Sequence, residues 1–296
     1  METVLYALLS VLLRSANSVF DRWSYGLRNQ SILVLNFANN FIPFVLLALL
    51  LPLVSRGDAP GWALFGDPRL ALFALSIQAV GFAFSAGFRH LPVAKVNIAS
   101  RVGDVLIPVA LMLCGRTVHG NEYLFALAVS ACSLLAIRPG SDGAPRTLGR
   151  YAVIITAALI TQSVCGELFF QQQQSPELAK SLGVTTAIMF WRSVFCLLLL
   201  VTVRPSLARL AQARALLADG PARLNLLLRS SFTVGSQITF VLALATGQRV
   251  IAWPILNSVT LFSMVFASTF IKEHPERREV FAMVVVVSLA LLKAVM

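Results

Sequence analysis

HLPVAKVNIASRVGDVLIPVALMLCGR, residues 90–116, is the stretch whose reading decides the fold. It is apolar over most of its length and long enough to cross a bilayer, for which roughly 20 residues suffice. Its first half nevertheless holds Lys95, Asn97, Arg101 and Asp104. Asn97, Arg101, Asp104 and Pro108 fall at i, i+4, i+7 and i+11, which is one face of a helix. A charge at mid-depth costs about 2.5–3.5 kcal/mol on insertion scales. That face is therefore expected to look into a protein interior or a water-filled cavity, with Arg101 and Asp104 within pairing reach at i, i+3. The competing expectation is a buried ion pair that only holds helices together, although such pairs contribute little net stability.

Composition widens this reading to the whole chain. Of its 296 residues, 57% are hydrophobic and 12% charged, against about 25% charged in a soluble domain. A multi-pass inner-membrane protein without a long soluble domain is expected. The net charge of +11 then belongs to loops that meet anionic headgroups, not to a nucleic-acid surface. Cys114, Cys132, Cys165 and Cys196 lie in apolar runs without CxxC spacing and read as small buried hydrophobes. His90, His119 and His274 are scattered among loops, and no P-loop, GxSxG or HExxH motif occurs. No metal, no cofactor, no enzymatic activity and no ATP-driven pump is expected. The apolar run 4–13 lacks a basic leader and a small-residue cleavage site, and reads as a first span.

Apolar runs punctuated by Gly, Pro and charge predict ten spans, at 3–25, 31–54, 69–88, 93–114, 120–137, 151–173, 182–203, 225–245, 250–271 and 279–295. The Gly- and Pro-rich segment 141–150 reads as a linker between a first unit, 1–140, and a second, 151–296. SLARLAQARALLADG, 206–220, has Leu and Ala on one side and Arg on the other, as an interfacial helix does. An internal repeat links the halves. Shifted by 156, Asn97, Arg101 and Asp104 become Trp253, Asn257 and Thr260, again on one face, and Arg116 becomes Lys272. Five spans per half would invert the second unit relative to the first, as in many secondary transporters.

On AGFRHLPVAKVNIASRVGDVLIPVALMLCGR (86–116) and TGQRVIAWPILNSVTLFSMVFASTFIKE (246–273), the chain resembles the drug/metabolite transporter superfamily, in its EamA-like ten-helix branch, over nearly its whole length. The family's Gly-Glu endings read here Cys114-Gly115-Arg116 and Ile271-Lys272-Glu273, and its mid-helix Pro reads as Asp104 or is displaced to Pro108. The resemblance implies ten helices around a central cavity, alternating access, and export. It also implies both termini inside. The excess of Lys and Arg in the odd-numbered loops points the other way, to termini outside.

Mid-span polar residues are the candidate substrate contacts: Gln78, Asn97, Arg101, Asp104, Glu167, Arg192, Gln237, Trp253 and Asn257. Arg192 suits a carboxylate or phosphate, because a guanidinium binds either bidentately; its structural alternative is pairing with Glu167 or Asp21. Asp104 and Glu167 are candidate proton-coupling carboxylates. Both signs of charge in one cavity suit a zwitterion, such as an amino acid or a compound derived from one. The expectation is a secondary transporter, monomeric or homodimeric, whose partners are that small molecule, the bilayer and protons. The alternative is a carrier or flippase for phosphorylated, nucleotide-linked or lipid-linked sugars.

Overall fold

A computed structural model of the chain describes residues 2–55, 62–101, 103–115, 145–170, 178–203, 207–245, 255–256 and 259–295, with seven isolated positions between 120 and 132. Among them the protein is all helix and turn. The elements are α1 (Glu2–Asp21), continued as a π-helical segment (Arg22–Leu27), then α2 (Ile32–Ser55), a 3₁₀ turn (Trp62–Gly66), α3 (Pro68–His90), α4 (Val93–Ser100) and α5 (Gly103–Leu113). The second half supplies α6 (Pro145–Phe170), α7 (Leu178–Thr202), α8 (Leu207–Ala218), α9 (Gly220–Ala245), α10 (Val259–Phe270) and α11 (Arg277–Val295).

Six of these helices are long and apolar enough to cross a membrane, and α10 is a shorter apolar helix. Their outward faces carry Leu5, Leu9 and Leu12 on α1, Leu49, Leu50 and Leu53 on α2, Leu197 and Leu198 on α7, and Leu224 and Leu227 on α9, all exposed. Apolar surface on that scale belongs against acyl chains rather than water. The chain is an all-helical membrane protein. Most of the fifth predicted span, and the first part of the ninth, lie outside the described residues.

Local chemistry accounts for the helix ends. Asp67 caps α3, its carboxylate accepting from the Arg69 amide at 2.8 Å, with Pro68 in the first turn. α5 and α10 both stop on a left-handed residue, Gly115 (φ 86°) and Lys272 (φ 56°), the middle residues of the two endings paired in the sequence repeat. Three predicted boundaries are corrected. The sixth span begins at Pro145 rather than 151, because Pro starts a helix readily and nothing from 146 to 150 breaks one. The first span runs on past residue 25 in a widened π turn. The fourth is two helices, not one. Its chain turns at Arg101, whose amide bonds the Ile98 carbonyl three residues back at 3.0 Å while the Ser100 hydroxyl bonds the Asn97 carbonyl at 2.7 Å. The interfacial segment is helical, as α8, and Asp219 at its end holds Arg28 at 2.5 Å.

Packing joins the two halves throughout. α1 lies along α9, with the Ser10 hydroxyl on the Ser236 carbonyl at 3.0 Å and Phe20 against Phe232. It also touches α10, through the Ser15 hydroxyl on the Val259 carbonyl. α3 lies along α6, where the Phe73 ring sits 3.0 Å from where a Gly166 Cβ would be and stacks on Phe169. α4 and α5 also pack on α6, α2 on α7 and α9, α3 on α7, and α4 on α10.

Candidate substrate-binding site

The mid-span polar side chains form four groups. The largest centres on Gln78, near the middle of α3 and 1% exposed. Its Oε1 accepts from Asn40 Nδ2 at 2.8 Å and from Arg192 Nε at 3.0 Å, and its Nε2 donates to Asn36 Oδ1 at 3.1 Å. Asn36 Nδ2 in turn donates to Tyr25 Oη at 3.1 Å and to Ser85 Oγ at 3.0 Å, Asn39 Nδ2 donates to Tyr25 at 3.3 Å, and Asn40 Nδ2 reaches Cys196 Sγ at 3.5 Å. Four spanning segments from both halves thus share one buried network. Pro43 has no N–H to give the Asn39 carbonyl, which adds a polar group beside it. Asn39 Oδ1 is itself buried without a partner among the described residues.

Arg192 sits near the middle of α7, between buried Met189 and Cys196, yet is itself half-buried. A mid-span arginine hydrogen-bonded to the fully interior Gln78 does not face lipid. The Nη2 atom lies 3.5 Å from where a Gly81 Cβ would be. Asp21 does not neutralise Arg192, because it is bound to Arg229, and no described carboxylate touches Arg192.

Asp21 belongs to the second group. It binds Arg229 on α9 two-pronged, Nε to Oδ1 at 2.6 Å and Nη2 to Oδ2 at 3.0 Å. One turn along the same seam Asn17 Nδ2 meets Thr233 Oγ1 at 3.2 Å, and one turn further Arg14 places its guanidinium 4.1 Å from the Phe240 ring centre. Such a cation–π contact is worth about 0.5–2 kcal/mol. Asp21 and Arg229 lie within electrostatic reach of Arg192, so the first two groups adjoin.

The third group is the fourth span's own. Asn97 Nδ2 donates to Ser263 Oγ at 2.6 Å, and Arg101 gives Nε and Nη2 to Thr260 Oγ1 at 3.2 and 3.0 Å. Both partners are on α10, so the two stretches matched in the sequence repeat meet face to face. Arg101 is buried, at 8% exposure. Because the helix breaks after it, Asn97 and Arg101 share a face that Asp104 and Pro108 do not simply continue. The side chains of Asp104 and Glu167, and all of Trp253 and Asn257, lie outside the described residues. Gln237 is half-buried on α9 and takes no part in the networks.

The fourth group closes one end of the bundle. Arg22 donates from Nε to Glu273 Oε1 at 2.6 Å and from Nη1 to the Phe88 carbonyl at 2.8 Å, while Glu273 Oε2 accepts the Val93 amide at 3.0 Å. A carboxylate on a helix N-terminus is favourable for the dipole as well as the bond. Arg22 fits because residue 26 is Gly: a Cβ there would stand 2.2 Å from Arg22 Nη1 and 2.6 Å from the Phe88 carbonyl oxygen. Gly26→Ala is expected to lower stability by about 1–3 kcal/mol through overpacking, read as a lower unfolding temperature in detergent. Leu27→Ala, at a side chain 54% exposed, leaves it unchanged. A shallow pocket of about 110 Å³ beside this group, between Lys95, Glu273, His274 and Glu279, contains none of the predicted site residues.

No metal-binding cluster of His, Cys, Asp or Glu occurs among the described residues. The four cysteines are free; Cys165 and Cys196 are buried as expected, Cys132 is half-buried, and Cys114 is exposed at the end of α5. Asn36, Asn39 and Asn40 escaped the sequence reading, although their spacing of i, i+3, i+4 inside an apolar span carries the signal that singled out Arg101. Arg229 and Arg14 escaped it because each stands near a span end or a break in the apolar run.

No protein-family model and no curated protein matches the chain. Solved structures do match. One crystal structure, 14% identical, aligns over 97% of this chain and 94% of its own with a TM-score of 0.56. At that identity the likeness is one of fold.

Proposed function

We propose that the protein is a secondary active transporter of the inner membrane that moves a small polar metabolite by alternating access. The observation that carries this reading is the mid-depth network of Gln78, Asn36, Asn40 and Arg192, built from spans of both halves and ending in a guanidinium that no described carboxylate contacts. Buried polar groups in a membrane protein are costly and mark substrate or ion pathways. Packing supports two related five-helix units. Exchanging α1 with α6, α2 with α7, α3 with α9, and α4 and α5 with α10 carries α1–α9 onto α6–α3, and α2–α9 onto α7–α3. It leaves α2–α7 and α4–α10 paired with themselves. An inverted repeat of the drug/metabolite transporter kind has this relation, with its site where the repeats meet. We assign export driven by a proton gradient, with Asp104 and Glu167 as the coupling carboxylates.

A carrier of phosphorylated, nucleotide-linked or lipid-linked sugars is the second reading, favoured by an Arg192 that no described carboxylate contacts. In proteoliposomes holding the full-length chain, Arg192→Ala and Arg101→Ala are expected to cut flux by about tenfold or more while inserting normally. Wild-type flux from both variants would remove this reading. Asp104→Asn and Glu167→Gln under an imposed pH gradient test the coupling assignment.

A further inference from the structure

The interior seam between α1, α7 and α9 has an imbalance of charge. It carries Arg14, Asp21, Arg192 and Arg229. Asp21 and Arg229 satisfy one another, leaving Arg14 and Arg192 with no carboxylate in contact among the described residues. A guanidinium in a protein stays protonated, so neither can shed its charge by losing a proton. Their partners among the described residues are weak. Arg14 has the face of Phe240, and beyond the neutral Gln78 Arg192 has Met189 Sδ at 3.8 Å. Gln78 Oε1 has two donors already, so it takes nothing more from Arg192. Among the described residues Arg192 Nη1 has only that thioether, and its Nη2 lies 3.5 Å from where a Gly81 Cβ would stand, beside a residue with no side chain. That fork matches the two oxygens of a carboxylate or a phosphate.

We infer that the transported species is an organic oxyanion of net negative charge, docked end-on at Arg192 over Gly81, with Arg14 as a second cation two helical turns from Asp21 on the same seam. This deepens the transport reading and rests on it for movement, but not for binding. It departs from the zwitterion expected from sequence, because the one described carboxylate of the seam is already spent on Arg229.

The test is equilibrium binding to the full-length protein in phosphatidylcholine nanodiscs. The probes are succinate, glycerol 3-phosphate, serine and ethanolamine. Succinate or glycerol 3-phosphate is expected to bind and to stabilise, and which of the two binds tighter separates carboxylate from phosphate. Arg192→Gln is expected to weaken the anion by about tenfold or more and Arg192→Lys by less, since a charge survives but the fork does not. Gly81→Ala adds a methyl at ordinary contact distance from Nη2 and Asn36 Oδ1, so it folds normally and still weakens the anion. Nanodiscs with phosphatidylglycerol separate a lipid headgroup from a soluble metabolite. If the headgroup is the ligand, soluble anions are displaced there and the loss depends on Arg192. Tighter binding of serine or ethanolamine than of either anion, anion affinity unchanged in Arg192→Gln and Gly81→Ala, or no anion binding at millimolar concentration would overturn the inference. Anion binding without flux would leave it standing and remove the transport reading. Flux of serine without anion binding would do the reverse.

Discussion

Arg229→Met is expected to cost about 3–5 kcal/mol of stability, a fall on the order of a hundredfold or more in the folded population. The wild-type pair is two-pronged, and its side chains are only 16% and 14% exposed within spanning helices. Removing the guanidinium strands the Asp21 carboxylate, which has no other bonded partner among the described residues. It also takes from Thr233 the 3.3 Å bond donated by Arg229 Nη1. The loss is mostly the penalty of an unpaired buried charge, not the net worth of the bridge. The double variant Asp21→Leu/Arg229→Met should therefore recover most of it. Unfolding of the purified proteins by heat and by SDS measures both. A single variant within about 1 kcal/mol of wild type, or a double variant as weak as the single, would show that the pair is not coupled as its geometry requires.

Gln78→Leu is expected to have an effect of similar size for a different reason. Leucine fills much of the volume but makes none of the three hydrogen bonds. Asn40 Nδ2 and Arg192 Nε lose their shared acceptor and Asn36 Oδ1 loses its donor. An orphaned buried polar group costs about 1–3 kcal/mol, more when charged, so the sum reaches about 3 kcal/mol or more. Arg192 also loses the bond that aims it, and flux should fall with stability. Gln78→Glu separates the two consequences. A carboxylate keeps both acceptors and places a negative charge against Arg192. It gives up the bond to Asn36 Oδ1, at a cost of about 1–3 kcal/mol, so it should still fold, less stably than wild type, while refusing an anion, because the cation then has an internal partner. A Gln78→Glu protein that binds succinate like wild type would mean that Arg192 is not the anchor.

Part of the buried polar network is legible in the sequence, and the part that is not has a physical cause. Gln78, Asn97, Arg101 and Arg192 stand out in sequence because a polar residue in the middle of an apolar run has no place against lipid. Which residue each one meets does not stand out. For Arg192 the sequence offers Glu167 and Asp21; its described partner is the neutral Gln78, while the Glu167 side chain lies outside the described residues. Asp21 finds Arg229, 208 positions away. The relation between residues 97–104 and 253–260 was visible as a repeat, yet that Arg101 would meet Thr260, the counterpart of its neighbour Asp104, depends on how α4 crosses α10.

Composition and apolar period alone determined that this chain is a bundle of membrane helices, and roughly where its spans lie. Bilayer thickness and the absence of water to satisfy a backbone leave no other arrangement for such runs. Only the tertiary structure decided that the fourth span breaks at Arg101, that α1 widens into a π turn to seat Arg22 beside Gly26, and that Asp21 is consumed by Arg229 while no described carboxylate meets Arg14 or Arg192. Those outcomes depend on distances between helices far apart in sequence, and the order of residues along one helix does not contain them.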